Sequence, residues 1–384
     1  MIHSLKIENF RSLENFQVTK LGRVNLIVGK NNSGKSSVLE ALRIYAGNAN
    51  HELLESIAQG HDEKCFLDNE ESDAFNKALP FEDLFTGRKF NEDNRSIVIG
   101  ELDNSSKHLE IKPVFLIEKK EIILTAETGE ESVRIRRIPA ERNAILDNSE
   151  VVGEALLISK EHKLLLIDFD RDRSRFRPTV FDIKKLACSL IPTQFISMND
   201  LAKEWDVIAL TEGEVIVKNA LRIILPEVED LTFVVDKINN LRNSREVRRL
   251  AKVKISGLAY PIPLASLGDG MLRILQLVLK LFSAKGGFLL IDEFENGLHY
   301  SVQEKVWRLL FELSEKLDIQ IFATTHSWDC IESFAKVAMD KKDIDSVLFR
   351  VGKSVRTSDK GRVISTVFDQ DQLYSITQSD VEVR

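Results

Sequence analysis

A glycine-rich segment near the N-terminus fits the pattern G-x-x-x-x-G-K-[ST] without deviation: it reads Gly29-Lys30-Asn31-Asn32-Ser33-Gly34-Lys35-Ser36. A short apolar run, residues 23–28, precedes it, and residues 37–46, with apolar side chains at helical spacing, follow it. A loop between such a strand and helix turns its backbone N–H groups toward phosphate oxygens, and the helix N-terminus favours the same negative charge. We therefore predict that the segment from Gly29 to Ser37 binds phosphates, with Lys35 beside the β and γ phosphates and Ser36 on Mg²⁺.

A second segment joins four apolar residues to two acids and reads Phe288-Leu289-Leu290-Ile291-Asp292-Glu293. A buried strand with this sequence would deliver Asp292 to the Mg²⁺ side of a phosphate site. Glu293 can then polarise a water for in-line attack on the γ-phosphate. The competing interpretation is a strand that ends at a charged surface, and the phosphate loop in the same chain argues against it. Together the two segments predict ATP and Mg²⁺ as the bound species.

The spacing of apolar residues along the chain predicts an α/β fold. Residues 96–170 suit several strands, among them 109–117 and 121–126 as separate strands, with a turn at 127–130. Residues 180–258 favour helices and include a basic stretch, 236–254. From residue 261 onward strands alternate with helices, which indicates a mainly parallel sheet. We divide the chain into an N-terminal lobe with the phosphate loop and the β-rich section (1–179), a helical insertion (180–260) and a C-terminal lobe (261–384).

Composition excludes several classes of protein. The 384 residues are 43% hydrophobic and 29% charged, a balance that argues against wholesale disorder. No stretch approaches the roughly 20 apolar residues of a membrane span, and no secretory signal is visible at the N-terminus. Three scattered cysteines fit a reducing compartment, so we expect a cytoplasmic protein with no membrane partner. The net charge of −7 does not suggest a protein coated for nucleic acid.

Four further motifs surround the two phosphate-site segments. They are an opening Leu5-Lys6-Ile7-Glu8-Asn9-Phe10-Arg11-Ser12-Leu13, a signature segment Ser266-Leu267-Gly268-Asp269-Gly270, a D-loop Glu295-Asn296-Gly297-Leu298-His299, and Thr325-His326-Ser327. In order and spacing the chain resembles ATP-binding-cassette-type ATPases of the RecF/SMC group. Within that group it most resembles the ATPase part of overcoming-lysogenisation-defect (OLD) proteins and their stand-alone relatives. The resemblance covers residues 1–50 and 261–350 firmly and the middle of the chain weakly.

The resemblance implies a two-lobed head with a β-rich first lobe that dimerises around two nucleotides, the signature segment of one subunit contacting the γ-phosphate held by the other. Ser266, Gly268 and Gly270 suit that contact, because a hydroxyl, exposed N–H groups and a helix N-terminus bind anions. Asp269 would point away or cap the helix, and an ordinary helix N-cap is the alternative for the whole segment. His326 would sense the γ-phosphate; the alternative is a satisfied histidine at a strand end.

The sequence leaves two interpretations open for several other residues. Glu295 and Asn296 would cross the dimer interface or serve only to start a helix. The resemblance brings Arg11 near the nucleotide, and an ordinary surface arginine is the alternative. Family members also carry a glutamine that reaches Mg²⁺ and water, for which Gln194 is a candidate without a diagnostic context.

Two signals are weaker. Aspartates at 168, 170 and 172, and at 369 and 371, resemble the carboxylate clusters of metal nucleases, but the arginines between the first three suggest a mixed-charge surface. OLD nucleases append a TOPRIM domain after the ATPase, and little of this sequence follows the last predicted core strand, so we expect no intrinsic nuclease. The basic stretch 236–254 could be a solvated face, a contact for DNA phosphates or a dock for an acidic partner.

The sequence thus predicts an ATPase that forms an ATP-dependent homodimer, or a larger assembly built from it, and hydrolyses ATP. We hypothesise that it controls a separately encoded effector, such as a nuclease, in bacterial anti-phage defence. The alternative is a RecF-like clamp for DNA repair that binds DNA directly. A transporter's nucleotide-binding subunit fits less well, because the signature is short and the chain has no membrane segment.

Overall fold

The structure combines strands and helices, which alternate one by one only from Asp269 to Lys353. The computed structural model describes residues 1–63, 79–90, 95–124, 131–141, 151–169, 185–235, 248–369 and 372–373. The strands are β1 (Leu5–Phe10), β2 (Leu13–Val18), β3 (Val24–Val28), β4 (Ile97–Gly100), β5 (Leu109–Leu124), β6 (Glu131–Ala140), β7 (Val151–Lys160), β8 (Lys163–Asp168), β9 (Cys188–Ile191), β10 (Val228–Val235), β11 (Arg249–Ile255), β12 (Ile262–Pro263), β13 (Phe288–Ile291), β14 (Gln320–Thr325), β15 (Ser346–Lys353) and β16 (Val363–Phe368). The helices are α1 (Lys35–Ala46), α2 (His51–Gln59), α3 (Met198–Ile208), α4 (Glu212–Leu221), α5 (Asp269–Ser283), α6 (Tyr300–Lys316) and α7 (Trp328–Asp340). The predicted α/β class is confirmed.

The central sheet runs in the order β16-β15-β3-β14-β13-β9. Its five strands from β15 to β9 are parallel, and β16 is antiparallel. The mainly parallel sheet predicted from the alternation after residue 261 is therefore confirmed. The sheet also takes β3 and β9 from the two segments that precede residue 261, so it draws strands from all three predicted divisions of the chain.

Strands β3, β13 and β14 of the central sheet are buried on both faces, which explains why β3 and β13 are apolar runs without alternation. Phe288 and Leu290 belong to one hydrophobic cluster with α1 and the first antiparallel strands. Leu289 and Ile291, one residue on in each case, belong to the other cluster with α5, α6 and α7. The period of two along a strand thus divides the core into two layers.

A second sheet is antiparallel throughout, in the order β2-β1-β4-β5-β7-β8, with β6 on β5. The prediction of separate strands at 109–117 and 121–126 is wrong, because Leu109–Leu124 is a single strand. The predicted turn at 127–130 lies outside the described residues. Strand β7 was not predicted.

The basic stretch 236–254 also differs from its prediction. Residues 236–247 lie outside the described residues, and Arg249–Ile255 is a strand rather than a helix, paired with β10 and β12. The reason is visible in its burial: Ala251 and Val253 are buried, while Lys252 and Lys254 between and after them point outward, a period of two. The two helices of the predicted helical insertion, α3 and α4, pack beside this small sheet. Among the described residues, no helix is both long and apolar enough to cross a membrane.

Candidate nucleotide-binding site

The candidate site lies where the parallel strands end. Ile291 is in register with Ile191 on one side and Ala323 on the other, and Ala323 is in register with Leu26. The chain leaves these four strands at one edge of the sheet, which is where ligands bind in open α/β sheets. This edge brings together the phosphate loop (residues 29–37), the acids after β13, the histidine after β14 and residues 192–194 after β9.

The phosphate loop has the backbone of a phosphate cradle. Gly34, which has no side chain, is the N-cap of α1 and has a positive φ of 104°. A Cβ atom on Gly29 would lie 2.3 Å from the carbonyl oxygen of Val351, so the loop and β15 approach too closely for any other residue. Asn31, Asn32 and Ser36 are exposed. The Lys35 ammonium donates to the carbonyl oxygens of Gly29 (2.7 Å) and Lys30 (3.0 Å), and so lies across the loop.

The loop also contains an unused polar group. The Ser33 hydroxyl is buried, and among the described residues it has no hydrogen-bond partner. Buried hydroxyls in proteins nearly always have a partner. A phosphate oxygen in the loop would supply one, so these residues fit a bound nucleotide.

The acids after β13 are held by hydroxyls from both neighbouring strands. The Thr324 hydroxyl donates to Asp292 Oδ1 at 2.7 Å, and the Thr193 hydroxyl to Asp292 Oδ2 at 3.3 Å. The Glu293 N–H donates to the same Thr324 hydroxyl at 2.9 Å. Glu293 itself has a positive φ of 49°, which is uncommon for a residue other than glycine.

The charges at the edge are mixed. Burial lowers the pKa of the Lys35 ammonium, and the carboxylates of Asp292, Glu293 and Glu295 oppose that shift. A carboxylate and a hydroxyl, of the kind that Asp292 and Ser36 offer, are the oxygen donors that Mg²⁺ prefers.

His326 follows β14 and is half-exposed. Its Nδ1 lies 3.3 Å from Glu295 Oε1 and 3.7 Å from Glu293 Oε1. Its backbone N–H donates to Glu295 Oε1 at 3.0 Å. Glu295 therefore holds the histidine within its own chain, and the three side chains form one group beside the phosphate loop.

Arg273 in α5 was not singled out from the sequence. It is 1% exposed, and its guanidinium donates to three backbone carbonyl oxygens: Pro192 (2.8 Å), Asp292 (2.8 Å) and Glu293 (2.7 Å). Burial lowers its pKa to about 10 against the opposing effect of the nearby carboxylates. A charged residue among the otherwise apolar residues 271–275 was the signal that could have found it.

The D-loop is hydrogen-bonded to the residues that follow β9. The Asn296 side chain donates to the carbonyl oxygen of Thr193 at 2.5 Å. Helix α6 does not begin at Asn296, because its N-cap is His299. Thr193, like Thr324, is a site contact that sequence reasoning missed, since single threonines carry no motif. Gln194, the neighbouring candidate, is exposed.

Arg11 stands in the turn between β1 and β2. Its Nε lies 2.7 Å from Glu40 Oε2, and its Nη1 lies 2.6 Å from Glu63 Oε1. Burial lowers its pKa, but the two glutamates outweigh that effect, and the net shift is upward. Arg11 is thus neither a plain surface arginine nor directed at the phosphate loop in this conformation. The turn itself does touch the loop, because a Cβ on Gly34 would lie 3.3 Å from the Ser12 hydroxyl.

The signature segment is exposed at the start of α5. Gly268 is the N-cap of this helix with a φ of 93°, and Asp269 is its first residue, exposed and making no cap. The Ser266 hydroxyl donates to the carbonyl oxygen of Pro263 at 2.6 Å. Gly270 packs against the D-loop, since a Cβ there would lie 3.1 Å from the Gly297 oxygen. Among the described residues no hydrogen bond joins Ser266, Gly268 or Asp269 to the chain's own phosphate loop.

Two known proteins resemble this chain, one over most of its length and the other over a short stretch. An ATP/GTP phosphatase of Helicobacter pylori is 26% identical over 353 residues, 89% of each chain. A protein of Methanocaldococcus jannaschii, MJECL10, described as uncharacterized, is 47% identical over 45 residues, which are 12% of this chain and 20% of that protein.

Two solved structures are similar at lower identity. One is an SMC head bound to the C-terminal winged-helix domain of ScpA, with 12% identity and a TM-score of 0.48 over 98% of this chain and 99% of that one. The other is the SMC head domain of Thermotoga maritima, with 16% identity and a TM-score of 0.40 over 96% and 99% of the two chains.

A family model covers most of the chain, including both acids after β13 and the whole phosphate loop. The matching residues are 24–329, and the family is described as "AAA domain, putative AbiEii toxin, Type IV TA system". With its phosphate loop, its acids after β13 and this match, the chain belongs to that family of P-loop ATPases.

Proposed function

We propose that this chain is an ATP-driven switch, in which binding of ATP with Mg²⁺ closes a homodimer and hydrolysis reopens it. The observation that carries the proposal is that the phosphate loop after β3 and the acids Asp292 and Glu293 after β13 lie at the same edge of the central sheet. A cation between phosphates and acids is the arrangement that phosphoryl transfer needs, because catalysis there is mostly positioning and electrostatics.

Ser36 and Asp292 would hold Mg²⁺. The ion, once bound, neutralises charge on the β and γ phosphates. Lys35 and the loop N–H groups would hold the phosphates themselves, and Ser33 would gain the partner that it lacks in the loop. Asp292 would keep its orientation, because each of its two oxygens has a hydroxyl donor.

Glu293 is the proposed general base that orients the attacking water. It is 37% exposed, so a water can reach it, whereas Glu295 is 13% exposed and is occupied by His326. The imidazole of His326 stands 3.7 Å from the Glu293 carboxylate, where it would contact the γ-phosphate and the base together.

The signature segment supports the dimer. Its residues Ser266, Gly268 and Asp269 are exposed at a helix N-terminus, a position that favours anions. Since they make no hydrogen bond to the phosphate loop of their own chain within the described residues, they are available to the nucleotide of a second copy. Through Gly297 they also adjoin the D-loop, so the same closure would reach the site of its own chain.

The role of the switch is the control of a separately encoded effector, such as a nuclease, in anti-phage defence. The motifs shared with the ATPase part of OLD proteins motivate this role. The family description, which names a putative toxin of a type IV toxin–antitoxin system, is compatible with a defence role. In the described part of the basic stretch, Arg249 and Lys254 pair with Asp206 (2.5 Å) and Glu229 (2.8 Å), so these two cations give a RecF-like DNA clamp little support. The aspartates at 170, 172 and 371 lie outside the described residues.

Two substitutions test hydrolysis. Lys35→Ala should abolish tight ATP binding, measured by calorimetry. Glu293→Gln should keep binding, lose at least about 100-fold in the rate of phosphate release, and accumulate as a dimer with ATP and Mg²⁺ in light scattering. Glu312→Gln is the matched control, since Glu312 pairs with Lys341 on the surface. A Glu293→Gln variant with the normal rate would show that the base is another residue.

Complementation tests the contact between subunits. Ser266→Arg should be inactive because it blocks the signature segment, and Lys35→Ala should be inactive because it spoils the phosphate loop. If each nucleotide is held between two copies, mixing the two variants creates one intact composite site and restores part of the activity. Mixtures that stay inactive, although both variants fold, would exclude a signature segment that acts on the partner's nucleotide.

Retention on the closed dimer tests the effector. Tagged Glu293→Gln with ATP and Mg²⁺ should retain one stoichiometric protein from the native host, and Lys35→Ala should not retain it. Retention of nucleic acid alone would favour the DNA clamp.

A further inference from the structure

Thr324, the second-last residue of β14, stands between the two acids of the neighbouring strand. Its side chain is fully buried, although its hydroxyl is polar. The hydroxyl donates to Asp292 Oδ1 at 2.7 Å and accepts the N–H of Glu293 at 2.9 Å. One hydroxyl group therefore touches the proposed Mg²⁺ ligand and the backbone of the proposed base at once.

The backbone around Thr324 continues the same link. Its carbonyl oxygen accepts the N–H of Phe294 at 2.9 Å, one residue beyond Glu293. Strands β13 and β14 pair in register only as far as Ile291 and Ala323. The contacts of Thr324 thus extend the connection between the strands past the end of the regular ladder, along the residues that carry the acids.

Glu293 needs such a support, because its φ of 49° places it in the left-handed region. A residue with a side chain persists in that conformation only where the surroundings fix it. Here its N–H is fixed by the Thr324 hydroxyl and its carbonyl oxygen by Arg273 Nη2 at 2.7 Å. The peptide groups on both sides of the Glu293 Cα are therefore held, and the direction of its side chain follows from them.

We propose that Thr324 is a positioning residue for ATP hydrolysis, which sets the Asp292 carboxylate and the Glu293 backbone together through one hydroxyl. The proposal rests on the functions proposed above for Asp292 and Glu293. Thr324 itself would touch neither nucleotide nor metal. Its effect is on the rate of the chemical step and on the use of Mg²⁺, not on the affinity for the nucleotide.

The hydroxyl, rather than the shape of the side chain, carries this role. Valine has nearly the same shape and suits a buried strand, but it would leave the Glu293 N–H without an acceptor and Asp292 Oδ1 without a donor. Serine keeps both hydrogen bonds and loses only a methyl group. If Thr324 were merely a core residue, the valine variant would be tolerated and the serine variant would be the worse of the two.

The test compares Thr324→Val and Thr324→Ser with the wild-type chain. Thr86→Val is the matched control, since the Thr86 hydroxyl is buried and has no hydrogen-bond partner among the described residues. Thr324→Val should lower kcat at least about tenfold, since it weakens a general base and a metal ligand together, with KM for ATP within threefold. Thr324→Ser and Thr86→Val should stay within threefold of wild type in both constants.

A readout other than turnover separates this proposal from the one on which it rests. We would measure the rise in melting temperature caused by ATP, with Mg²⁺ and with EDTA. Thr324→Val should lose most of the additional rise that Mg²⁺ gives and keep the rise that ATP gives alone. A Thr324→Val variant with normal kcat and a normal Mg²⁺ response, or a Thr324→Ser variant as defective as valine, would overturn the proposal. If Glu293→Gln keeps the wild-type rate while Thr324→Val loses the Mg²⁺ response, the assigned base is wrong and the positioning of Asp292 stands.

Discussion

Helix α1 has a buried or half-buried lysine at each end, and the two lysines differ in their surroundings. At the N-terminal end, the Lys35 ammonium donates to the carbonyl oxygens of Gly29 and Lys30. At the C-terminal end, the Lys160 ammonium, from the end of β7, donates to the carbonyl oxygen of Tyr45 and to Asn48 Oδ1 at 3.0 and 2.8 Å. Burial lowers the pKa of both, and that of Lys160 to about 8.

The helix dipole makes the two ends unequal. A cation at a helix C-terminus is favoured, and one at an N-terminus is disfavoured. Lys160 therefore matches its end of α1 and stacks 3.9 Å from the centre of the Tyr45 ring as well. The ammonium of Lys35 lies at the helix end that disfavours a cation. The carboxylates of Asp292, Glu293 and Glu295 favour its charged form. We infer that Lys160 serves the fold and Lys35 serves the nucleotide.

The largest effect that separates the two ends is on activity. Lys35→Ala should lower kcat/KM for ATP at least about 1,000-fold, because it removes the charge beside the phosphates. Lys160→Met should change the same constant less than about threefold, since it alters no group at the edge of the sheet. Steady-state phosphate release measured on both variants checks the comparison.

The free energy of unfolding should depend on Lys35 much less than the activity does. Lys35→Ala removes a cation from a helix N-terminus, so its free energy of unfolding should stay within about 1 kcal/mol of wild type. Circular dichroism during urea unfolding measures it. A Lys35→Ala variant that loses activity only because it unfolds would remove the distinction between the two lysines.

Arg273 complicates the comparison, because it is buried like Lys160 and located at the site like Lys35. Like both lysines it binds uncharged oxygens, two of which belong to the acids of the site. We expect Arg273→Met to lower the free energy of unfolding by about 3 kcal/mol, since three buried carbonyl oxygens lose their donor. We also expect kcat to fall about tenfold or more at a temperature where the variant is folded, because two of those carbonyls belong to Asp292 and Glu293.

Arg273→Lys refines this test. A lysine keeps the charge but cannot reach three carbonyls in the fixed geometry of a guanidinium. It should therefore recover part of the stability and little of kcat. If either variant loses stability with kcat unchanged, Arg273 belongs with Lys160 as a residue of the fold.

The same contrast explains how much could be predicted from the sequence. The phosphate loop and the acids after β13 were predictable, because each follows an apolar strand and contains a pattern that few other folds use. The alternation of strands and helices predicted after residue 261 is also confirmed, since strands buried on both faces, such as β13, are uninterrupted apolar runs.

Residues that act through the fold could not be predicted in this way. Thr324, Thr193 and Arg273 reach the acids only once β9, β13, β14 and α5 are packed together, and their separation in sequence hides that contact. The preference for helices over residues 180–258 was wrong at Arg249–Ile255, because Ala251 and Val253 alternate with lysines there and form a strand.

The smallest effect is the dependence of stability on pH at the C-terminal end of α1. The pKa of Lys160 is about 8 in the folded chain and 10.5 in the unfolded one. Between these values the unfolded state binds more protons, so stability must rise with pH. From pH 7 to pH 9 the free energy of unfolding of the wild type, relative to Lys160→Met, should rise by about 1 kcal/mol.

Using the difference between the two chains removes the other groups that titrate in this range, because both chains contain them. The direction in which this difference in free energy of unfolding changes with pH is also informative. A lysine held mainly by opposite charge would have a raised pKa, and its contribution would decline as pH rises. For Lys160, burial lowers the pKa and outweighs Glu161, and it does so although the ammonium donates to a helix end and an amide oxygen. A difference that falls between pH 7 and pH 9 would therefore mean that the helix end and the amide oxygen stabilise the charge of Lys160 by more than burial disfavours it.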